Sequence, residues 1–165
     1  MINQLYAEMP FLNHPIGRID VEIHVQGAAL TLLYPINCKL DTGSDFTTIN
    51  HKSLLKIGYT KEFLQNCSYC SETVTTVTEH QRLRLQYIEN IIVLLDCVEL
   101  RNQRIYFSMD IPLRNLLGLD LLKHFNMDVD REQSRVSLSV TKSLTERIEA
   151  GLERDISFLE QHTID

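Results

Sequence analysis

The stretch Asp41-Thr42-Gly43-Ser44 follows the extended run Ile36 to Leu40 and leads into Phe46-Thr47-Thr48-Ile49. A carboxylate is thus delivered at the end of a strand-like segment, beside a glycine and two hydroxyls. The glycine allows the backbone to bend tightly and to turn its N–H groups toward the carboxylate or a ligand. Ser44 can hydrogen-bond the carboxylate from the side, while Thr42 alternates to the opposite face. One Asp alone is poor equipment for hydrolysis at neutral pH. Two carboxylates held together must share a proton, which makes one a general acid and the other a general base around a single water. The ordinary use of such a tetrad is an Asx-type turn between strands, so the rest of the chain has to decide between the two.

The flanking elements are those of a β domain. Ile19, Val21, Ile23 and Val25 alternate with Asp20, Glu22 and His24, the period of a half-buried strand. Gln26-Gly27-Ala28 punctuates it, and Leu30 to Tyr34 reads as the return arm of a hairpin that Pro35 ends or edges. After Ile49, Asn50 can cap a short helix over His51 to Ile57 that Gly58 stops, and Thr60 can cap a second over Lys61 to Gln65. β-forming runs resume from Ser71 in ETVTTV, RLRLQYI, NIIVLL and RIYF. NLLGLDLLKHF reads as a buried strand, a glycine and a short helix from Asp120 to Phe125, and RVSLSV as a last strand. Beyond it Leu144, Ile148, Leu152, Ile156 and Leu159 form the stripe of an amphipathic helix from about Ser143 to Gln161.

At 165 residues, with 44% hydrophobic and 23% charged residues, the chain has the length and composition of one soluble domain. Residues 1–140 make that domain and 141–165 a C-terminal helical extension. A net charge of −6 argues against general affinity for nucleic acid or an anionic membrane. The N-terminal residues lack the pattern of a secretory signal and no apolar run reaches spanning length, so a cytoplasmic location is expected. Cys38, Cys67, Cys70 and Cys97 are then read as reduced thiols. Cys67-Ser-Tyr-Cys70 has zinc-ligand spacing without a second ligand pair, and Asp128 to Glu132 reads as a hairpin turn rather than a calcium loop.

Two segments together carry a family resemblance. CKLDTGSDFTTIN resembles the catalytic loop of the retropepsin-like aspartic proteases. NLLGLDLLKHFNMDVDREQSRVSL is similar to that family's second signature, in which two apolar residues and a glycine (Leu116, Leu117, Gly118) precede a short helix and a closing hairpin. The resemblance spans roughly Ile16 to Val140, and the interval between the two segments has room for the family's flap hairpin. It implies an all-β, closed barrel-like acid-protease domain with short helices.

It also implies roles. Asp41 takes the place of the catalytic aspartate, Thr42 that of the hydroxyl bonded to the partner loop's backbone, and Gly43 and Ser44 those that shape and brace the carboxylate. Leu116, Leu117 and Gly118 are expected to pack beside the loop. The chain holds a single Asp-Thr-Gly, since Asp96, Asp110 and Asp120 precede other residues. The second aspartate must therefore come from another copy, in a two-fold homodimer with Asp41 of each subunit at the axis. The expected activity is that of an endopeptidase acting on peptide or protein substrates, without metal or organic cofactor. Residues 71–88 hold no glycine, whereas family flaps commonly carry one near the tip. That difference defines the alternative, a catalytically inactive dimeric binding or adaptor module.

Overall fold

The computed structural model describes residues 6–13, 17–75, 82–141 and 156–158. Among the described residues, ten strands and three short helices follow one another as β1 (Tyr6–Asn13), β2 (Ile19–Gln26), β3 (Leu33–Leu40), α1 (His51–Lys56), α2 (Lys61–Gln65), β4 (Tyr69–Thr75), β5 (Arg82–Leu95), β6 (Val98–Phe107), β7 (Leu116–Leu117), α3 (Leu119–Leu122), β8 (Phe125–Asp130), β9 (Arg135–Val140) and β10 (Ile156–Phe158). The expected all-β architecture is present.

Strand β2 is the hub. Its alternating Ile19, Val21, Ile23 and Val25 are all buried. It pairs with β3 along one edge, from Asp20↔Lys39 to Gln26↔Leu33. Along the other it pairs first with β1 (Phe11↔Val21) and then with β5 (Val25↔Val93). The sheet runs β10-β6-β5-β2-β1-β9-β8. Its two end strands do not meet, so the sheet is open and the closed barrel expected from the resemblance is corrected to an open, strongly interconnected sheet. The main core joins β2 and β3 to Leu95, Leu100, Ile105 and Phe107 of the β5–β6 pair, to Leu117, and to Leu138 of β9.

Several local expectations shift. Pro35 does not end an arm: Leu33–Leu40 is one strand with Pro35 opposite His24. The proline is exposed, and β3 reaches its second neighbour β7 only at Lys39 and Leu40, so the missing N–H falls on an unpaired edge. RLRLQYI and NIIVLL are likewise one strand, β5, interrupted by a register shift against β6 between Ile88 and Ile91, where Asn90 adopts φ 57°. A bulge bends the strand without ending it. The caps behave as read: Asn50 accepts from Lys52 N–H, Thr60 from Phe63 N–H, and Gly58 stops α1 at φ +102°. The helix after Gly118 is shorter than expected, Leu119–Leu122, because Phe125 already pairs with Val140 in the β8–β9 hairpin. At the C-terminus, Ile156–Phe158 of the expected amphipathic helix form β10, antiparallel to β6 with Ile156 opposite Leu100. There, pairing with an open strand edge replaces the helical stripe. The rest of that helix lies outside the described residues, as does the stretch Thr78 to Gln81, where the sequence puts the tip of the expected flap hairpin.

Candidate active site

The carboxylate of Asp41 is positioned by a strand threaded between two parts of one loop. β7 runs parallel to the end of β3, with Lys39 beside Leu116 and Leu40 beside Leu117. Lys39 N–H donates to Asn115 O (2.9 Å) and Asp41 N–H to Leu117 O (3.0 Å). On its other side β7 meets the chain leaving the loop, where Thr48 N–H donates to Leu116 O (3.0 Å) and Leu116 N–H to Thr48 O (2.8 Å). Leu116, Leu117 and Gly118 thus lie against the Asp41 loop, with Leu117 wholly buried.

Gly118 is required by close approach. A Cβ there would stand 2.5 Å from Phe46 O and 2.9 Å from Ser44 O, closer than any side chain allows. The same contact brings Leu119 N–H to Ser44 O at 2.8 Å. Thr47, fully buried, ties the arrangement together: its hydroxyl accepts from Gly118 N–H (3.0 Å) and donates to Asp120 Oδ1 (2.6 Å), which also accepts from Leu121 N–H (3.0 Å). Burial raises the Asp120 carboxyl above the usual range, and the Thr47 hydrogen bond opposes that shift without cancelling it. Thr48 Oγ1 donates to Arg114 O (2.8 Å), and Asn115 Oδ1 accepts from Asn50 N–H (2.7 Å). Thr47, Thr48 and Asn115 were not singled out by sequence. The Thr-Thr pair in Phe46 to Ile49 was read only as β-forming, and Asp120 only as a helix start and as an aspartate without a following Thr-Gly.

Within the tetrad, Gly43 N–H donates to Asp41 Oδ1 at 3.0 Å, as its freedom from a side chain suggested. Ser44 departs from expectation. Its hydroxyl donates to Phe46 O (2.8 Å), so it braces the loop's backbone and not the carboxylate. Thr42 is exposed at the loop surface. The Asp41 side chain keeps 27% of its surface accessible, and Lys39 Nζ lies 3.7 Å from its Oδ2. Lys39 precedes Asp41 by two residues on an extended segment, so both side chains leave the same face.

A second, smaller apolar cluster lies beside this loop. Leu83, Leu85 and Tyr106 are its buried members, joined by Phe46, Cys70, Val74, Tyr87, Ile111 and Leu113. The rings of Phe46 and Tyr106 are tilted with centroids 4.7 Å apart. The antiparallel β4–β5 hairpin therefore stands where its apolar residues reach the loop through Phe46. Cys67 and Cys70 are free thiols raised by burial, and among the described residues no group of three or more potential ligands could hold a metal. No helix among the described residues is long and apolar enough to cross a membrane.

The fold matches that of a retropepsin-like aspartic protease from Rickettsia conorii, with a TM-score of 0.56 and 18% sequence identity over 84% of this chain and 94% of that one. At that identity the likeness is one of fold. No family model matches the sequence, and none of the curated proteins matches it.

Proposed function

We propose that this chain is an aspartic endopeptidase whose active site is completed by homodimerisation, with Asp41 of each subunit sharing one proton across a two-fold axis. The observation that carries the reading is the partly buried Asp41 carboxylate at the end of β3, with one oxygen held by Gly43 N–H and the loop behind it fastened to β7 and Gly118. Such a loop has lost its freedom before substrate arrives, which is what orienting a reacting carboxylate requires. In the paired site the ionised carboxylate takes a proton from water as the water oxygen attacks the peptide carbonyl carbon. The protonated partner gives its proton to the amide nitrogen as the C–N bond breaks. Thr42, exposed beside Asp41, is assigned to the contact with the partner loop. The cytoplasmic location and the absence of a cofactor requirement belong to the same reading.

The adaptor alternative draws on two observations: residues 71–88 hold no glycine, and Lys39 Nζ lies 3.7 Å from Asp41 Oδ2, where it occupies the carboxylate in an ion pair. The two readings separate when cleavage of a peptide library is followed against protein concentration beside the sedimentation-derived dimer fraction. The protease reading expects turnover that tracks the dimer. Full turnover per subunit in a demonstrably monomeric sample overturns the shared carboxylate, and a dimer that binds peptides without cutting them supports the adaptor.

A further inference from the structure

The chain is acidic overall, with 22 Asp and Glu against 16 Lys and Arg, yet the surface beside Asp41 reverses that sign. A cleft of about 550 Å³ runs along the outer face of β3 and is lined by Arg18, Lys39, Lys52 and Arg114, with Asp20 as its one carboxylate. The volume is that of a site for a few side chains. Its charges come from four separate elements: the start of β2, the end of β3, α1 and the segment before β7. Arg18 is engaged by Asp20 through two contacts, at 3.0 and 2.7 Å. Lys39 reaches Asp41 Oδ2 at 3.7 Å. Lys52 and Arg114 are exposed. Counting both neighbouring carboxylates, Asp20 and Asp41, four cations face two anions.

Lys39 belongs to the cleft wall and touches the carboxylate at the same time. A peptide that runs from Asp41 along this cleft would lay the residue next to its reacting bond within reach of Lys39, and the residues beyond it toward Arg114 and Lys52. We infer that the substrates are acidic peptides, with a Glu or Asp side chain adjacent to the bond that is cut. An arriving carboxylate takes Lys39 as its partner and draws the ammonium off Asp41, so that substrate binding itself removes the cation from the hydrolytic carboxylate. The inference rests on the reading of Asp41 as the hydrolytic centre, but the charge of the cleft can be tested apart from it.

Two arms separate them. In the first, the wild-type chain is given paired peptides that differ only in Glu against Gln beside the candidate bond. kcat/KM is expected to favour the Glu peptide by at least roughly tenfold, the worth of one charge-assisted hydrogen bond. Lys39→Gln should erase that preference and Arg114→Glu should weaken it, each read as the ratio of kcat/KM for the Glu peptide to that for the Gln peptide. In the second, Asp41→Asn protein is titrated with the same peptides by fluorescence anisotropy. The Glu peptide should bind more tightly, and the difference should shrink as salt is raised. Equal cleavage of both peptides in the first arm overturns the inference and leaves the protease reading standing. Selective binding in the second arm, with no peptide cleaved in the first, supports the acidic-ligand cleft and overturns the protease reading. Equal binding of both peptides, or inorganic phosphate or single-stranded RNA displacing the Glu peptide at lower concentration than a second acidic peptide does, overturns the inference.

Discussion

Between Asp41 and Thr48 the chain is bonded across to β7, Gly118, Leu119 or Asp120 at Asp41, Ser44, Thr47 and Thr48, whereas β4 of the neighbouring hairpin leaves most of its residues exposed and meets the domain through a cluster with three buried members among the described residues. The first region is built from backbone hydrogen bonds and one close glycine contact, arrangements with a single solution. The second is built from side chains resting on one face of β5 and on Phe46. Under the proposed protease reading, the carboxylate of Asp41 has to be in place before substrate arrives, and the hairpin acting as cover has to let substrate enter. The difference teaches that this fold concentrates its precision in the loop. A substitution should therefore matter according to which of the two regions it touches.

The sharpest break between them is at Asp41. Asp41→Asn keeps an oxygen to accept from Gly43 N–H and removes the acid–base function, so peptide hydrolysis should fall by about 10²–10⁴-fold with the fold and dimer retained. Retained turnover in the purified variant contradicts the assignment. Next in size is Gly118→Ala, which forces a methyl against Phe46 O at a nominal 2.5 Å. It should destabilise the domain by about 1–3 kcal/mol. Thr75→Ala, on the exposed side of β4, should stay within about 0.5 kcal/mol. Urea denaturation of the two variants measures the contrast, and equal midpoints would erase it. Smaller again is Thr42→Ala. This hydroxyl is proposed to bridge subunits, so the expected symptom is a weaker dimer by about 0.5–1.5 kcal/mol, read by sedimentation equilibrium, with the monomer's own stability unchanged.

How far these regions were legible in the sequence follows the range of the interactions that make them. β2, β9 and the caps at Asn50 and Thr60 depend on neighbours in sequence, and local pattern located them; Asp128 to Asp130, read as part of a hairpin turn, instead continue β8, and the turn follows at residues 131–134. β1 was not identified in the sequence, although Ala7, Met9 and Phe11 alternate and are buried, since Pro10 falls inside the run. Its partners, β2 and β9, are decided by the fold. Asn90 looked like a strand boundary and is a bulge, and of the two readings open for Pro35, an end or an edge, the edge holds, a distinction only the neighbouring strand makes. In the site, the resemblance brought out Gly118, and the structure supplies the reason in the oxygen atoms of Ser44 and Phe46. The Thr47–Asp120 bond joins residues 73 apart, and neither has a local signature. Lys39 was passed over as one charge among many, since its meaning lies in the side of β3 from which it reaches Asp41.

The subtlest test concerns Asp120, which supports the pinned loop from behind. Burial raises its carboxyl above the ordinary value, so as pH rises from the usual Asp range the unfolded chain gives up this proton first. Between the ordinary and the raised value the native state binds more protons than the unfolded one, and stability falls with rising pH across that window and levels off above it. Asp120→Asn keeps an oxygen to accept from Thr47 Oγ1 and Leu121 N–H and removes the ionisation. Its urea midpoint, measured from mildly acidic to neutral pH, should lose the component of slope that the wild-type carboxyl contributes and stand relatively higher at the neutral end. Thr47→Val is the counterpart: it deprives both Asp120 and the buried Gly118 N–H of their partner, and should cost about 1–3 kcal/mol while steepening the fall with pH, because the hydrogen bond that favoured the ionised carboxyl is gone. If Asp120→Asn reproduces the wild-type profile, the carboxyl is not the origin of the slope. If Thr47→Val is harmless, the loop is held by its backbone bonds to β7 alone, and the contrast with the β4 hairpin narrows to that one strand.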